Sequence, residues 1–297
     1  MKKETRISIV IPVKGTPPSL LSSLKGFLNQ TMSPYEIVIV GASKDLAKIK
    51  KSLNSKEKGS VKFIKFLGGK NEARNRGVLD STGEFILYAD HDMIPQTDLI
   101  ESCMNLLERF VALIIPERGA GGGNLLKEIH RLEKEMVMDD LDAVTPRLFR
   151  RALFAGEELP FDRKFGVLDE WGFNLKLKTK NPRIGMADSF LTIAAEDLTL
   201  WRGIKKQFRK GLWVRNLISA DRQEALRRIN PVKRGIQFYG SRLNILKKEP
   251  IVFSGLLFLK FIDFVSFFSG YVMSFIMRPK EYKADVMKTD MGKHEKS

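Results

Sequence analysis

Short apolar runs alternate with segments of helical periodicity through the first 117 residues of this 297-residue chain. The runs are rich in β-branched residues and are continuous, as strands buried on both faces are. They lie at residues 6–13, 36–40, 61–67, 84–90 and 112–117. Leu20, Leu24 and Phe27 repeat at the spacing of one helix face, residues 99–107 show a similar pattern, and residues 71–81 can form a helix that stops near Gly83. This order predicts an α/β fold with a doubly wound, mostly parallel sheet flanked by helices.

Polar loops follow three of the predicted strands, at residues 14–18, 41–45 and 90–92. In sheets of this kind ligands bind outside the carboxyl ends of the strands, so we expect the chemistry in these loops. The third loop holds Asp90 and Asp92, and two carboxylates so placed can bind a divalent cation together with substrate phosphates. If the strand continues, the histidine between them points the other way. Capping of the following turn or helix is the alternative role for either aspartate.

A series of short motifs occurs in order along the first hundred residues: a strand ending in proline, an Asn-Gln-Thr helix end, an Ala-Arg-Asn-x-Gly helix, a Thr-Gly-Glu turn and Asp-x-Asp. The segments are ISIVIPVKG (7–15), FLNQT (27–31), EIVIV (36–40) and GGKNEARNRGVLDSTGEFILYADHDMIP (68–95). Together they resemble the family-2 glycosyltransferases, which have the GT-A fold. The resemblance is strong over residues 5–100 and weaker over residues 101–215. It implies transfer of a sugar from a nucleotide-diphosphate donor to an acceptor, in the synthesis of glycans, cell-surface polysaccharides or glycoproteins.

The resemblance also implies roles for individual residues near the donor. Asp90 and Asp92 would correspond to the Asp-x-Asp pair, which holds Mn²⁺ or Mg²⁺ against the diphosphate and neutralises the charge of the departing phosphate. The implied donor-binding residues are Pro12, Val13, Lys14, Ser43, Lys70, Arg74 and Asp90.

An acidic pair, Asp169 and Glu170, stands where the family has a Glu-Asp pair that opens a helix. The resemblance implies that these two are catalytic, with Glu170 as the general base that takes the proton of the acceptor hydroxyl. One displacement with one base implies inversion at the anomeric carbon. Trp171 follows the pair, as in archaeal-like members. The alternatives are an acidic helix N-terminus favoured by the helix dipole, and Glu196 or Asp197 as the base.

The chain departs from the family pattern in its donor loops. Relatives carry an acidic Asp-Asp-Gly-Ser type of loop after the second strand, where this chain has Gly-Ala-Ser-Lys-Asp at residues 41–45. Gly15 also stands where asparagine is common. These departures leave a second interpretation open: a catalytically degenerate GT-A scaffold that acts as a membrane-tethered binding protein.

Basic residues are concentrated just before the most apolar segment of the chain. The formal net charge is +16, and residues 201–250 contribute 14 basic and 3 acidic residues to it. The apolar segment 251–277 follows, interrupted by Lys260 and Asp263, which are spaced to pair on one helix face. Three interpretations remain: a tilted membrane span, an interfacial or re-entrant pair of short helices, and a buried core helix. An upstream basic block suits anionic lipid, which favours a membrane role.

These observations predict a division of the chain and its location. Residues 1–215 would form the GT-A domain, with a nucleotide-sugar-binding half (1–117) and an acceptor half (118–215). A basic helical collar (216–250), a hydrophobic membrane-associated segment (251–277) and a polar flexible tail (278–297) would follow. The expected partners are a nucleotide-diphosphate sugar, a sugar or lipid-linked acceptor and an anionic membrane surface. Nucleic acid is not favoured, because no recognition motif accompanies the basic block. The positive-inside tendency predicts a catalytic domain on the cytoplasmic side of the membrane.

Overall fold

The computed structural model describes residues 5–138, 144–154, 159–195, 198–229 and 248–277. Ten strands and ten α-helices lie within these residues. The strands are β1 (Ile7–Pro12), β2 (Glu36–Gly41), β3 (Val61–Lys65), β4 (Phe85–Tyr88), β5 (Met93–Pro95), β6 (Ala112–Ile114), β7 (Glu117–Gly119), β8 (Leu148–Arg150), β9 (Ile184–Met186) and β10 (Leu191–Ile193). The helices are α1 (Pro18–Leu28), α2 (Ser43–Lys51), α3 (Ser55–Gly59), α4 (Lys70–Asp80), α5 (Leu99–Leu106), α6 (Leu125–Val137), α7 (Asp169–Thr179), α8 (Leu200–Ala220), α9 (Arg222–Ile229) and α10 (Pro250–Met273). Short 3₁₀ helices cover Arg151–Phe154 and Arg163–Leu168.

A seven-stranded sheet lies at the centre, in the order β3-β2-β1-β4-β8-β6-β9. Strands β1, β2, β3 and β4 are mutually parallel where they pair, and β6 pairs with β9 in parallel. Strand β8 runs antiparallel to both β4 and β6. Every residue of β1 and β4 is buried, because helices cover both faces of the sheet. The predicted α/β fold with a mostly parallel sheet is therefore confirmed, with β8 as an antiparallel insertion.

A second, three-stranded sheet in the order β5-β10-β7 lies beyond the ends of the main strands. The run predicted as one strand over 112–117 is divided between the two sheets, since β6 ends at Ile114 and β7 begins at Glu117. Gly119 pairs with Ile193 in this second sheet, and a side chain there would collide with the backbone of Arg131. The glycine-rich stretch 119–123 therefore begins inside a strand.

Aromatic side chains fill the space between the main sheet and α7. The ring centroids of Tyr88 and Phe161 are 4.9 Å apart in an edge-on arrangement, and those of Phe161 and Phe173 are 5.3 Å apart and stacked. Phe149 of β8 lies 5.2 Å from Phe173. Tight aromatic packing of this kind holds the first turn of α7 against the carboxyl end of β4.

Helix α10 runs without a break through Lys260 and Asp263, whose side chains pair at 3.2 Å as their spacing predicts. The interpretation of this segment as two short helices is therefore wrong, because the pairing removes the cost of leaving either charge alone on the helix. The helix crosses α8 closely at Gly211 and Gly270, where a Cβ on either glycine would overlap a carbonyl oxygen of the facing helix.

The predicted division of the chain remains a prediction. Its boundary between residues 215 and 216 falls inside α8. Most of the predicted collar beyond residue 229 and all of the tail 278–297 lie outside the described residues.

Candidate active site

A cleft of about 1240 Å³ opens at the carboxyl ends of the parallel strands. Its walls come from the segments that follow β1, β2, β3 and β4, with Lys206 of α8 added. Ten charged side chains line the cleft. Six are basic (Lys14, Lys44, Lys48, Lys70, Arg163 and Lys206), and four are acidic (Asp45, Glu72, Asp90 and Asp92). The excess of positive charge suits a ligand that carries phosphate groups.

The predicted site residues fall into two groups. Those that line the cleft are Pro12, Val13, Lys14, Lys70, Asp90 and Asp92. Ser43 is instead the exposed first residue of α2 and does not line the cleft. Arg74 is fully buried behind it, and Asp169 and Glu170 lie on the same inner side at the start of α7. Glu196 and Asp197 lie outside the described residues.

The strand before the Asp-x-Asp segment ends earlier than predicted. Strand β4 stops at Tyr88, and the amide of Met93 donates to the carbonyl of Asp90 at 3.1 Å, which closes a turn. Because the chain turns here, Asp90, His91 and Asp92 all line the cleft. The expectation that His91 points away from the two aspartates required a continuing strand, and that condition is not met.

Arg74 joins the two acidic motifs of the sequence. Its Nη2 donates to Oδ1 of Asp90 at 2.7 Å, and its Nη1 contacts Oδ2 of Asp169, which is 95 residues away along the chain. Lys70 Nζ lies 2.8 Å from Asp90 and 4.0 Å from Asp169. Burial alone would raise the pKa of Asp90, but the charges of Lys70 and Arg74 hold it well below its usual range. One arginine therefore holds both Asp90, which lines the cleft, and Asp169, which lies behind it.

The arginine that bridges them is itself held by aromatic rings. The guanidinium carbon of Arg74 lies 4.9 Å from the ring centroid of Tyr88 and 5.1 Å from that of Phe161. Burial opposes its charge, but Asp90 and Asp169 together raise the pKa of Arg74 above its ordinary value. The guanidinium therefore stays charged, although no part of it reaches solvent.

Glu170 has a separate partner. Arg147 donates from Nη2 to Oε1 of Glu170 at 3.0 Å and also contacts Glu117. Lys134 of α6 contacts the same Glu117 carboxylate. Burial would raise the pKa of Glu170, but the charge of Arg147 outweighs it and the pKa lies below its usual value. Its side chain is about one-third exposed, so this carboxylate is ionised and reachable from outside. Sequence analysis did not single out Arg147 or Glu117, which are 30 residues apart in the chain and meet only in the folded structure.

Asp45 is a third residue that sequence analysis did not single out. It is buried in the first turn of α2, and its Oδ2 accepts a hydrogen bond from the amide of Gly15 at 2.8 Å. Gly15 adopts a positive φ of 76°, which glycine reaches without strain. The loop after β1 is thus tied to the loop after β2. An acidic residue in a first helical turn was the available signal.

The donor set suits a cation that is shared with a ligand. Among the described residues no group of three His, Cys, Asp or Glu side chains is placed to hold a metal ion by itself. Asp92 lines the cleft, and in this part of the chain its carboxylate makes no ion pair. Mg²⁺ and similar ions are commonly held by one or two carboxylates, with water and substrate phosphates completing the shell. Asp92 and Asp90 fit that pattern.

The family model for glycosyl transferase family 2 matches residues 8–172, which is more than half of the chain. The chain belongs to glycosyltransferase family 2. The match covers the cleft loops, the Asp-x-Asp segment and the Asp169-Glu170 pair.

Curated glycosyltransferases match about a third of the chain. An uncharacterized glycosyltransferase of Rickettsia conorii is 30% identical over 107 residues, which is 35% of this chain and 18% of that protein. An uncharacterized glycosyltransferase of Bacillus subtilis, YwdF, is 33% identical over 87 residues, 29% of this chain and 32% of that protein. The chain thus matches a third or less of the length of these relatives. Both are bacterial, so the archaeal-like character remains a prediction.

Solved structures share the fold at low identity. The mannosyltransferase PcManGT from Pyrobaculum calidifontis, in complex with GDP-Man and Mn²⁺, has a TM-score of 0.61 at 13% identity, covering 92% of this chain and 88% of that one. TarS 1–349 of S. aureus, in complex with UDP-GlcNAc, has a TM-score of 0.52 at 15% identity, covering 91% of each chain. These neighbours confirm the GT-A fold.

Proposed function

We propose that this protein is a metal-dependent, inverting glycosyltransferase that moves a sugar from a nucleotide-diphosphate donor to an acceptor hydroxyl. The proposal rests on one observation: Arg74 pairs with Asp90 of the Asp-x-Asp segment and with Asp169 of the second acidic pair, beside a basic cleft. A donor's diphosphate would lie among the cleft lysines, and the reacting sugar would lie between Asp92 and α7.

Donor binding is assigned to the loops at the strand ends. Pro12, Val13 and Lys14 line the cleft after β1, and Lys70 faces it from the start of α4. Mn²⁺ or Mg²⁺ would be held by Asp92 and Asp90, with the donor's phosphates as further ligands. Such an ion, when bound, neutralises charge on the departing diphosphate. Arg74 does not reach a ligand, and we assign it to holding Asp90 and Asp169 in place.

Glu170 is proposed as the general base. A base must be ionised at the working pH and within reach of the acceptor proton. The lowered pKa and partial exposure of Glu170 meet the first requirement, and its contact with Arg147 orients the carboxylate. Asp169 is bound to Arg74 and Lys70, so its proposed role is to position those cations. One base and one displacement predict an inverted anomeric centre in the product.

Donor binding and turnover can be tested separately with purified full-length protein. A bound donor must raise the melting temperature, so UDP-GlcNAc and GDP-Man are screened for that rise with Mn²⁺, and NMR then identifies the product anomer. We expect Asp92→Asn to lose the Mn²⁺-dependent rise, and Glu170→Gln to keep the rise but lose transfer. Asp80→Asn, a partly exposed partner of Arg76, is the matched control and should change neither. A retaining product, or full transfer by Glu170→Gln, would refute the assignment.

Membrane association, with the catalytic domain on the cytoplasmic side, is part of the proposal. Among the described residues, α10 is the one helix long and apolar enough to cross a bilayer by length and composition. A membrane location would suit a lipid-linked acceptor and a role in glycan synthesis. The basic residues upstream support the cytoplasmic side by the positive-inside tendency.

A catalytically degenerate scaffold remains the second candidate. The observation in its favour is that both oxygens of Asp90 already contact cations, one in Arg74 and one in Lys70. If neither donor nor free nucleotide raises the melting temperature with Mn²⁺, while the protein still binds anionic vesicles, this candidate is supported over the enzyme.

A further inference from the structure

Helix α10 has one face that packs against the rest of the protein. Near its start, Phe253 and Leu256 are buried against Ile129, Leu132 and Met136 of α6. Near its end, the helix crosses α8 so closely that Gly211 and Gly270 each face a backbone carbonyl. The packed face therefore runs almost the whole length of the helix.

The opposite face is apolar and exposed. Phe258, Phe261 and Phe268 have 63%, 64% and 53% of their surface exposed, and neighbouring residues continue the same stripe at helical spacing. The exposed apolar side chains of this segment are Ile251, Leu257, Phe258, Phe261, Phe264, Val265, Phe268, Val272, Phe275, Ile276 and Met277. We call this set the apolar stripe. A patch of this size on a protein surface marks an interaction site.

The two charges of α10 belong to the packed side. Lys260 contacts Glu133 of α6 as well as Asp263 on its own helix. Burial opposes ionisation of Glu133, but the charge of Lys260 lowers its pKa to about 2, so the contact is a true ion pair. The charges that interrupt the sequence of the segment therefore do not interrupt the apolar stripe.

A membrane-spanning orientation conflicts with this packing. Helix α8 carries Arg202, Lys205, Lys206, Arg209, Lys210 and Arg215 and no acidic residue. Helix α6 is also heavily charged. If α10 crossed the bilayer with these contacts intact, both charged helices would enter hydrocarbon, at several kcal/mol for each charge near the centre. A helix lying flat at the surface keeps every contact and still removes the apolar stripe from water.

We propose that α10 lies in the plane of an anionic bilayer, with the apolar stripe inserted among the acyl chains and the adjoining basic residues of α8 facing the headgroups. Charge complementarity selects this occupant, because Arg202, Lys205 and Arg209 are exposed beside the exposed ring of Trp201. An apolar helix face with flanking basic residues and an aromatic residue is the pattern of in-plane membrane helices.

The consequence for catalysis rests on the proposed function. Lys206 of α8 lines the cleft, and α8 packs directly on α10. The cleft therefore lies within about one helix diameter of the bilayer surface, roughly 10–12 Å. An acceptor carried on a membrane lipid would reach it without leaving the bilayer.

Vesicle co-sedimentation of the full-length protein tests the docking. We expect binding to phosphatidylcholine vesicles that contain phosphatidylglycerol, and much weaker binding to phosphatidylcholine alone. Phe261→Glu with Phe268→Glu should weaken binding to anionic vesicles at least tenfold. Leu79→Glu is the matched control, because Leu79 is equally exposed on α4, and it should leave binding unchanged. Equal binding to both vesicles, or a dimer that covers the apolar stripe in solution, would overturn the proposal.

Insertion depth distinguishes an in-plane helix from a span. Phe258→Cys and Val272→Cys, both within α10, place labels 14 residues apart, which is about 21 Å along a helix. Cys103, the one native cysteine, is buried and does not interfere. Quenching by nitroxide lipids should report one shallow depth for both labels, and depths that differ by more than about 15 Å would overturn the proposal. Measuring donor binding by the same variants separates the docking proposal from the proposed enzymatic function. Loss of vesicle binding with an intact nucleotide-dependent rise in melting temperature would count against docking alone. Intact vesicle binding without that rise would count against the enzymatic function alone.

Discussion

Replacing Arg74 with methionine removes the cation on which the two acidic motifs meet. The side chain is 0% exposed, and the carboxylates of Asp90 and Asp169 are 18% and 11% exposed. Methionine fills similar space without charge, so it leaves two ionised groups without the cation that bridges them. Removing one partner of a buried ion pair costs about 3–5 kcal/mol.

Arg76 provides the control on the same helix. Its side chain is 42% exposed and pairs with Asp80 one turn away. Exposed pairs at this spacing contribute about 0.3–0.5 kcal/mol, so Arg76→Met should change stability little. For a domain of this size, each kcal/mol shifts the melting temperature by about 2–4 °C. We therefore expect Arg74→Met to melt roughly 6–20 °C lower than the native protein, and Arg76→Met to melt within about 2 °C of it.

The pH dependence of the stability lost in Arg74→Met identifies the cause of that loss. The pKa of Asp90 is depressed in the folded protein, so its contribution to stability is present above the ordinary carboxyl pKa and disappears as the pH falls through the folded value. The gap between the native protein and Arg74→Met should be widest near pH 7 and narrow below about pH 4. Urea unfolding of both proteins at several pH values measures it. Equal losses in Arg74→Met and Arg76→Met, or a gap that stays constant in acid, would refute the reasoning.

Three further predictions concern α8 and the first cleft loops. Burial lowers the pKa of Lys210 to about 8 from the ordinary 10.5, so the free energy of unfolding should rise with pH between those values. In urea unfolding at pH 7, Lys210→Met should be more stable than the native protein by up to about 3 kcal/mol. The exposed control, Lys205→Met, should show no such gain. Gly211→Ala should lower the melting temperature, because its Cβ would overlap a carbonyl of α10. Gly203→Ala has open space around the new Cβ and should raise the melting temperature slightly. A shift of the melting temperature in the same direction for both variants would contradict this. Asp45→Ala should weaken nucleotide binding in titration calorimetry by about tenfold, because the loop after β1 loses the charged hydrogen bond that fixes it to α2.

Local sequence patterns determined the elements of the donor half. Continuous β-branched runs, such as residues 6–13, predict buried strands because a strand covered on both faces needs no polar alternation. The helix over residues 71–81 was predicted within one residue at each end. The same patterns placed Asp90 and Asp92 at a strand end, where the parallel sheet forms its cleft. Such features depend on residues a few positions apart, so the sequence alone contains them.

Only the tertiary structure decided which charges meet. Arg74 holds Asp169 across 95 residues, and Arg147 brings Glu117 and Glu170 together from three separate elements. Likewise, the sequence of residues 251–277 contains an apolar segment with two charges, but packing on α6 and α8 decides that the charges face inward and the apolar stripe faces outward. Ion pairs and exposed faces depend on which elements lie side by side, and long-range packing of the whole chain sets that arrangement.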